Sequence, residues 1–259
     1  MIDQTAKANI FRALHIKGEP VVLYNVWDAG SAQAVRDMGA KAIASGSHGV
    51  ANAMGYEDGE QIPFELALEN SRRIVAVSED LPVSMDLETG YGTTPAEVGA
   101  TAAKAIATGI VGVNLEDQDF ATDELRPVEG HAERLKAIRT AADEAGVPLF
   151  INARSDLFKN APAEDHTDEL LAQAIERANA YAEAGADSFF LPGITDIDLI
   201  RQLCEASPIG VNIIKIPGTP SQRGLAEAGV ARISYGPVPY LQMIEWLKGN
   251  AKSALALED

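Results

Sequence analysis

The chain has 259 residues, of which 46% are hydrophobic and 23% charged, the composition of an ordinary globular protein. Its formal net charge is −17 at pH 7 and no run of Lys or Arg occurs, which argues against a nucleic-acid partner and an anionic membrane surface but leaves room for small anionic substrates. The longest apolar runs are far shorter than a membrane span. One cysteine, Cys204, and an N-terminus without a signal-like apolar segment lead us to expect a cytoplasmic protein.

An amphipathic helix is predicted first, over residues 5–15, and short apolar strands then alternate with helices along the chain. The predicted strands cover residues 21–28, 42–47, 82–88, 111–117, 148–156, 188–193, 211–218 and 232–236. The helices predicted after them cover residues 31–38, 64–78, 95–108, 132–145, 168–184, 196–206, 221–228 and 239–249.

Several predicted helices end in a similar phrase just before the next strand: DMGAKA, ATGIVG, EAGVP, EAGADS and EAGVAR. The glycine in each phrase suits the left-handed position that ends a helix. Regular units with this repeated connection predict parallel pairing and one closed α/β barrel of the (β/α)8 TIM type over residues 1–259, preceded by the short N-terminal helix. A doubly wound parallel sheet is the alternative, which so regular a repeat favours less.

The stretch 82–92, PVSMDLETGYG, begins as a buried strand and ends in a turn that carries acids. Asp86 and Glu88 are two residues apart in an extended segment, so their side chains should point to the same face. Two adjacent carboxylates repel, and one would hold a proton at neutral pH unless a cation offset their charge. Mg²⁺ prefers such oxygen ligands. The alternative interpretation is a polar strand end that leads into a solvated turn.

Chemistry in such barrels lies at the carboxyl ends of the strands, where this chain carries many polar residues. The residues at these ends include Trp27, Asp28, Ser45, Gly46, Ser47, His48, Asp86, Glu88, Glu116, Asp117, Asn152, Arg154, Asp156, Asn212 and Lys215. They predict a metal-plus-anion site in which Arg154 clamps a carboxylate or phosphonate and the 45–47 turn donates hydrogen bonds to an anion. Alternatively, Arg154 only neutralises Glu116 or Asp86 in a structural ion network.

Six segments carry a family resemblance: NVWDAGSAQAVRDMGAKAIASGS, MGYEDGE, DLETGYG, VGVNLEDQD, PLFINARSD and the AGAD before the sixth strand. With them the chain resembles the isocitrate lyase/phosphoenolpyruvate mutase superfamily over nearly its whole length, and DLETGYG is close to its D-x-D-x-G-Y-G signature. The resemblance implies a (β/α)8 barrel that binds Mg²⁺, or Mn²⁺ in its place, near a 2-oxo or 2-hydroxy carboxylate. Such enzymes break or make C–C or P–C bonds beside an enolate-forming carbon. The resemblance also implies a homo-oligomer, a dimer or tetramer in which pairs of subunits exchange the last barrel helix.

Carried over residue by residue, the resemblance places four acids around the metal, largely through waters: Asp58, Asp86, Glu88 and Glu116. The substrate's carboxylate and oxo groups would be held by Trp27, Ser45, Gly46, Ser47 and Arg154, to which we add Asn212 on the predicted seventh strand. Among these residues, Asp58, Arg154 and Ser47 are expected to act in the reaction itself.

Two departures from the family pattern narrow the reaction. The second acid of the signature is Glu88 rather than Asp, so the pattern leaves open whether it binds metal directly or through water. Lyases for isocitrate and methylisocitrate carry a K-[KR]-C-G-H loop whose cysteine protonates the departing enolate, whereas the corresponding segment here, 118–135, has no cysteine. Cys204 is remote in sequence and is expected to be a small buried hydrophobic residue. The two named lyase activities are therefore not expected.

Three functions remain open. The first is a Mg²⁺-dependent lyase or decarboxylase that cleaves a C–C bond in a small 2-oxo or 2-hydroxy carboxylate through an enolate. The second is P–C bond chemistry on a phosphonopyruvate-like substrate, although the 118–130 loop offers one basic residue, Arg126, to a phosphonyl group. The third is a metal–oxoacid binding protein without turnover, which the missing loop acid supports. Two loops, near 50–62 and 118–130, are expected to set the substrate.

Overall fold

The computed structural model describes residues 2–256, and parallel strands form its centre. The strands within these residues are β1 (Val21–Leu23), β2 (Ile43–Ala44), β3 (Val83–Asp86), β4 (Gly112–Glu116), β5 (Gln118–Asp119), β6 (Glu124–Leu125), β7 (Phe150–Arg154), β8 (Ser188–Phe190), β9 (Gly210–Ile214) and β10 (Arg232–Ser234). β5 and β6 pair with each other in an antiparallel hairpin. The other eight form one sheet in the order β1-β10-β9-β8-β7-β4-β3-β2. Its two ends meet through a parallel bridge between Val26 and Ser45, so the sheet curls into a nearly closed barrel.

Helices cover the outside of this barrel. Those within the described residues are α1 (Gln4–Ala13), α2 (Ala29–Asp37), α3 (Ser47–Ala53), α4 (Phe64–Val77), α5 (Pro95–Ile106), α6 (Val128–Glu144), α7 (Leu157–Asn160), α8 (Asp168–Glu183), α9 (Ile197–Ala206), α10 (Gln222–Glu227) and α11 (Val238–Leu255). Neighbouring helices pack on one another around the ring, as α2 does on α4 and α5 on α6. In this part of the chain, no helix combines the length and apolar character needed to cross a bilayer.

The predicted (β/α)8 barrel with its short N-terminal helix is confirmed, and the doubly wound alternative is wrong. The observed strands stop earlier than the predicted ones, because the chain leaves the extended conformation where the functional loops begin. In the third strand, for example, pairing ends at Asp86, and Glu88 has a φ of +53°, which lies in the left-handed region.

Three short elements escaped prediction: α3, α7 and the β5–β6 hairpin. Each is too short to show a clear periodicity in sequence. Helix α6 begins at Val128, four residues before the start of the helix predicted over residues 132–145. Pro127, just before it, already has the φ that suits entry into a helix. The last helix continues to Leu255, beyond the predicted end at residue 249.

The glycines of the repeated phrases behave as predicted. All five have φ between +68° and +97°, the left-handed region in which glycine carries no Cβ penalty: Gly39, Gly109, Gly146, Gly185 and Gly229. Each follows a helix and turns the chain back toward the amino end of the next strand. These local turns explain why the barrel connections could be recognised in the sequence.

Asn25, just beyond β1, ties together three strand ends where the barrel closes. Its Nδ2 donates to the Ser45 carbonyl at 3.0 Å. Its Oδ1 accepts the backbone N–H groups of Tyr235 and Gly236 at 3.0 and 2.8 Å. The side chain is 5% exposed, so these groups have little access to water as a replacement partner. Backbone pairing joins the two ends of the sheet only at the bridge between Val26 and Ser45, and the Asn25 side chain adds further bonds across this seam.

We expect Asn25→Ala to lower the unfolding free energy by about 2–3 kcal/mol, because it leaves buried backbone donors without acceptors. Asn179→Ala is the matched control, since Asn179 lies on an exposed position of α8 and its amide only bonds the Ile175 carbonyl one turn away. Its effect should stay within about 0.5 kcal/mol. Urea unfolding followed by circular dichroism measures both changes, and equal losses would contradict the role assigned to Asn25.

Candidate active site

A cavity of about 490 Å³ opens at the carboxyl ends of the barrel strands. We call it the main cavity. Its polar side comprises Asn25, Gly46, Ser47, His48, Asp58, Asp86, Asn114 and Arg154. The rest of its lining comes mainly from the ends of β8, β9 and β10 and the segments that follow β7, β8 and β10, and comprises Phe158, Lys159, Ala161, Ala163, His166, Phe190, Pro192, Gly193, Ile214, Ile216, Ser234, Gly236 and Pro237. An adjoining cavity of about 350 Å³ shares four of these residues and adds Glu88, Glu116 and Phe120. The predicted acids therefore meet at the end of the barrel where the strand ends converge.

The turn after β2 holds Asp86 in place. The N–H of Ser47 donates to Asp86 Oδ2 at 3.1 Å, and the N–H of Asp86 donates to the Ser45 hydroxyl at 3.1 Å. Gly46 donates its N–H to the Val26 carbonyl at 3.0 Å and so belongs to the barrel seam. Ser45, Gly46 and Ser47 were predicted to bind an anion. The Ser45 hydroxyl and the Ser47 N–H instead hold Asp86, and the Gly46 N–H helps to close the sheet.

Glu88 fastens the loop around residues 58–60 to the turn after β3. Its Oε2 accepts the N–H groups of Gly59 and Glu60 at 3.0 and 2.6 Å, and its Oε1 accepts the Tyr91 hydroxyl at 2.6 Å. In return, Glu60 Oε1 accepts the Thr89 hydroxyl and the Tyr91 N–H, both at 2.7 Å. Glu60, Glu88 and Tyr91 all have positive φ, between +49° and +60°. Such strained positions persist where surrounding contacts hold them, as these hydrogen bonds do.

The extended geometry expected between Asp86 and Glu88 is not observed. The left-handed φ of Glu88 turns the chain, and both carboxylate oxygens of Glu88 accept hydrogen bonds from neighbouring segments. Asp86 lines the main cavity, while Glu88 lines the adjoining one.

Arg154, at the end of β7, is shared between two carboxylates. Its Nη1 lies 2.5 Å from Glu116, and its Nε and Nη2 donate to Asp156 at 2.6 and 2.8 Å. Lys159 also donates to Asp156 at 2.6 Å. Burial raises the pKa of Glu116, and the Arg154 charge opposes but does not cancel this rise. Asp156, with two cations, has a lowered pKa although burial acts the other way. This is the ion network proposed as the alternative for Arg154, and its role as a substrate clamp stays a prediction.

Asp117 supports this network from behind. Successive strand residues point to opposite faces, so Glu116 faces the cavity side and Asp117 faces α8. Asp117 is fully buried; its Oδ1 accepts the N–H of Asp156 at 3.0 Å, and its Oδ2 accepts Arg177 and the Tyr181 hydroxyl at 2.9 and 3.0 Å. The adjacent acids Glu116 and Asp117 thus differ in role: Glu116 contacts Arg154 at the cavity, and Asp117 supports the backbone behind it. The alternation of side chains along a strand could have indicated this difference.

The two loops expected to set specificity meet over the cavity. Asp58 lines both cavities with a half-exposed side chain, and its Oδ2 lies 3.8 Å from His48 Nδ1. Phe120, in the β5–β6 hairpin, lies beside Gly59, where an added Cβ would be 3.9 Å from the ring. The hairpin itself is held by a 2.9 Å ion pair between Arg126 and Asp119.

Three predicted substrate residues do not line the main cavity. Trp27 packs edge-on against Tyr240, with 5.3 Å between ring centroids. Asn212 is fully buried in the barrel interior, where its Oδ1 accepts the Ser234 hydroxyl at 3.1 Å. Ser45 lies beneath the Asp86 backbone, to which its hydroxyl is hydrogen-bonded. Their assignment to substrate binding stays a prediction, and these contacts support positioning roles for them.

Several residues of the cavity were not anticipated. Asn114 lies at its floor, where its Oδ1 accepts Asn152 at 2.8 Å and the buried Arg232 at 3.2 Å. Phe158 and His166 come from the segment after β7. A polar residue in a strand and aromatic residues in a loop carry no distinctive sequence signal, because the tertiary structure alone brings them to one cavity. Cys204 is buried in α9, as predicted.

The four predicted metal-binding acids are Asp58, Asp86, Glu88 and Glu116, and their surroundings test whether a metal fits. Within residues 2–256, no three His, Cys, Asp or Glu side chains converge closely enough to hold one ion between them. Yet carboxylates outnumber the Lys and Arg side chains there, since Asp58, Asp86, Glu88 and Glu116 share the two cavities with Arg154 and Lys159. Burial, and in smaller part the Asp86 charge, raises the pKa values of Glu88 and Glu116. This donor set fits a hydrated Mg²⁺ or Mn²⁺ that keeps several waters and reaches most carboxylates through them.

The comparison with known proteins decides the family. A model of the phosphoenolpyruvate phosphomutase family matches residues 11–255. The chain belongs to this family. The resemblance to the isocitrate lyase/phosphoenolpyruvate mutase superfamily is thereby confirmed.

The relatives of this chain carry names for different activities, or for none. An uncharacterised Mycobacterium tuberculosis protein is 33% identical over 230 residues, which cover 89% of this chain and 83% of the relative. The 2-methylisocitrate lyase of Escherichia coli is 32% identical over 218 residues, covering 81% and 71%. A crystal structure from Burkholderia cenocepacia, provisionally named a phosphonomutase, superposes with a TM-score of 0.94 at 49% identity, covering 97% and 99%.

We expect Glu88→Gln to remove part of the pH dependence of stability. Burial raises the pKa of Glu88 to about 7, and the nearby charges of Asp86 and Asp58 add to this effect. Above pH 4.5 the unfolded chain releases this proton while the folded state retains it, so the unfolding free energy falls as pH rises toward 7. Without metal, this group should account for a loss of about 2–3 kcal/mol between about pH 5 and pH 8.

Urea unfolding in EDTA at both pH values measures this loss. Glu88→Gln carries no charge at either pH and should show a correspondingly smaller difference. Glu97→Gln, at the exposed start of α5, is a control for loss of an ordinary carboxylate whose pKa is lowered by backbone hydrogen bonds. An identical pH dependence in wild type and Glu88→Gln would contradict the prediction.

Proposed function

We propose that this protein is a Mg²⁺-dependent lyase or decarboxylase that cleaves a C–C bond in a small 2-oxo or 2-hydroxy carboxylate through an enolate. The main cavity is the observation that supports this most directly, since it combines a fixed carboxylate, Asp86, with a partly buried cation, Arg154, at the carboxyl ends of the strands. Family membership and the lyase name of the Escherichia coli relative support the same reaction class.

Asp86 is the proposed direct metal ligand, because it lies in the main cavity and, among residues 2–256, its carboxylate accepts a single hydrogen bond, from Ser47. Both oxygens of Glu88 already accept hydrogen bonds, so Glu88 would act through water, as would Asp58 and Glu116. When bound, the metal would supply stabilisation of negative charge on the 2-oxygen of the substrate. The protein's own part is to position that charge and to exclude water around it.

Arg154 would hold the anionic end of the substrate. Nη1 carries two N–H groups and contacts Glu116, so a substrate carboxylate would either share this nitrogen with Glu116 or replace it there. In a decarboxylation, the bond from carbon 3 to the leaving carboxylate breaks and its electron pair remains in the enolate. CO₂ departs, and carbon 3 then takes up a proton. Among the described cavity residues, His48, Lys159 and His166 are able to carry this proton.

P–C bond chemistry is the second candidate, favoured by the provisional phosphonomutase name of the 49% identical Burkholderia protein. A phosphonyl group brings additional negative charge that needs cationic partners. The cations that the described chain places in the main cavity are Arg154 and Lys159, and both already contact carboxylates. The charge balance therefore supports C–C chemistry better. A binding protein without turnover is the third candidate.

We expect NMR to detect pyruvate formed from oxaloacetate by the protein with Mg²⁺, above the uncatalysed rate. EDTA should abolish this excess, and Arg154→Ala should lower it roughly 100-fold or more, because orientation of the substrate is lost. Arg223→Ala is the matched control, since Arg223 lies on an exposed face and pairs with Glu227 one turn away. Phosphonopyruvate and 2-methylisocitrate are tested in parallel.

Each outcome of this screen selects a function. Phosphate or phosphoenolpyruvate formed from phosphonopyruvate would replace the proposal with P–C chemistry. Mg²⁺-dependent ligand shifts without turnover of any substrate would favour the binding protein. Pyruvate formation that is unaffected by EDTA would contradict the proposed metal dependence.

We further propose a homo-oligomer, a dimer or tetramer, in which α11 of one subunit covers the neighbouring barrel. α11 buries only Pro239 of its own described residues, and Trp246 is 67% exposed. A groove of about 940 Å³ runs along the outer face of β1 between α2 and α10, with apolar side chains such as Val22 and Met38 in its lining. A barrel strand needs a covering helix there, and an amphipathic helix of a second copy would supply it.

We expect the double substitution Trp246→Asp and Leu247→Asp to produce a monomer in size-exclusion chromatography with light scattering. The two charges would be desolvated at the proposed contact. Leu66→Asp, on an exposed position of α4, is the control and should leave the assembly unchanged. A wild-type monomer at micromolar concentration would contradict the proposal.

A further inference from the structure

Arg232, on β10, is a fully buried cation that the proposed reaction does not use. Its Nε donates to the Ser234 hydroxyl at 3.1 Å, and its Nη2 donates to Asn114 Oδ1 at 3.2 Å. Three strands of the sheet separate β10 from β4, which carries Asn114, so this second contact crosses the barrel interior. Both acceptors are neutral, and Nη1 has no hydrogen-bond partner within residues 2–256. A buried charge without a carboxylate partner costs stability that an apolar residue of similar size would spare.

The guanidinium keeps its charge at neutral pH. Burial lowers the pKa of Arg232 to about 9, and the charge of Asp86 opposes this fall. Asp86 is the register partner of Asn114 in the paired strands β3 and β4, and both residues line the main cavity. A positive charge in the barrel interior therefore acts on the part of the cavity where Asp86 and Asn114 lie.

The contacts of the Asn114 side chain fix which way its amide points. Oδ1 accepts Asn152 Nδ2 at 2.8 Å as well as Arg232, and these are the hydrogen bonds of this amide within residues 2–256. A guanidinium only donates, so the amide atom that faces Arg232 must be the oxygen. Asn152 and Arg232 are fully buried, whereas Asn114 lines the main cavity. Nδ2 is thus the atom that Asn114 has left for a ligand.

A donor in this position suits a negatively charged oxygen. Arg232 polarises the Asn114 amide through Oδ1, which strengthens the hydrogen bonds that Nδ2 can donate. Asn25 is the other amide side chain in the lining of the main cavity, and its Nδ2 already donates to the Ser45 carbonyl. Asn114 therefore offers the cavity an amide donor that Asn25 does not.

We propose that Asn114 is a substrate-binding residue whose Nδ2 donates to an anionic oxygen of the ligand, and that Arg232 is the positioning residue that holds the amide in this orientation. The inference rests on the proposed function, because it takes the ligand to be a 2-oxo or 2-hydroxy acid. It gives such a ligand a second point of attachment, separate from Arg154.

A double-mutant cycle measured by isothermal titration calorimetry with oxalate in MgCl₂ tests the pair. Oxalate is a small dianion whose planar O–C–C–O group resembles the enolate of pyruvate. Asn114→Ala and Arg232→Met should each weaken oxalate binding roughly tenfold, the effect of one charge-assisted hydrogen bond. In the Asn114→Ala protein, Arg232→Met should weaken binding by less than about twofold more, because both residues act through the same amide.

Arg139→Met is the matched control. Arg139 is also a largely buried arginine that donates to backbone carbonyls, those of Leu149 and Gly185, but it lines neither the main cavity nor the adjoining one. Its loss should lower the unfolding free energy and leave oxalate affinity unchanged. General loosening of the barrel would weaken oxalate binding in this variant too.

Side-chain amide NMR adds a readout that needs no Arg232 variant and decides the question if Arg232→Met fails to fold, as judged by circular dichroism. The Nδ2 signals of Asn114 are identified by their absence from the spectrum of Asn114→Ala. They should shift in the wild-type protein when oxalate is added in MgCl₂, because Nδ2 gains an acceptor.

The outcomes separate this inference from the proposed function. Independent, additive losses in the double-mutant cycle would overturn the role of Arg232, and Asn114 signals that oxalate leaves unmoved would overturn the donor role of Asn114. Either result leaves the proposed function in place, provided that the wild-type protein binds oxalate. If the wild-type protein does not bind oxalate in MgCl₂, the proposed function fails and the inference fails with it.

Discussion

The sharing of one guanidinium, that of Arg154, between Glu116 and Asp156 is the interaction on which the site depends. It joins the ends of β4 and β7 and leaves the acids of the site with less positive charge than they need. Asp156 receives most of the nearby positive charge, because Lys159 also contacts it and Asp117 fixes its backbone. Glu116 is left with a raised pKa, in a place where a cation or a proton would relieve the imbalance.

The hydrogen bonds between Glu88 and the 59–60 loop are a second constraint on the site. These hydrogen bonds hold the loop that carries Asp58, which lines both cavities. Three residues with positive φ are kept in place by the same hydrogen bonds. The charged groups of the site are therefore held in place by contacts from several segments of the chain.

Local rules account for what could be predicted. Strand and helix periodicity predicted the barrel, and residues such as Gly109 and Gly185 marked its connections, because a left-handed helix end is a property of a few consecutive residues. The same reasoning brought Asp86, Glu116 and Arg154 to one end of the barrel, since parallel strands present their carboxyl ends together. Family membership followed from these same segments.

By itself, then, the sequence determined the fold, the family and the end of the barrel at which the candidate site lies. The tertiary structure alone decided which partner each charged group takes. The two carboxylate oxygens of Glu88 bind donors from two segments, one of them almost thirty residues away, and Arg154 already contacts two acids. The main cavity likewise brings together Phe158, Phe190 and Ile214 from separate strands and loops. Periodicity and capping act over a few residues, whereas these contacts arise only when the closed barrel brings distant segments within hydrogen-bonding and packing distance.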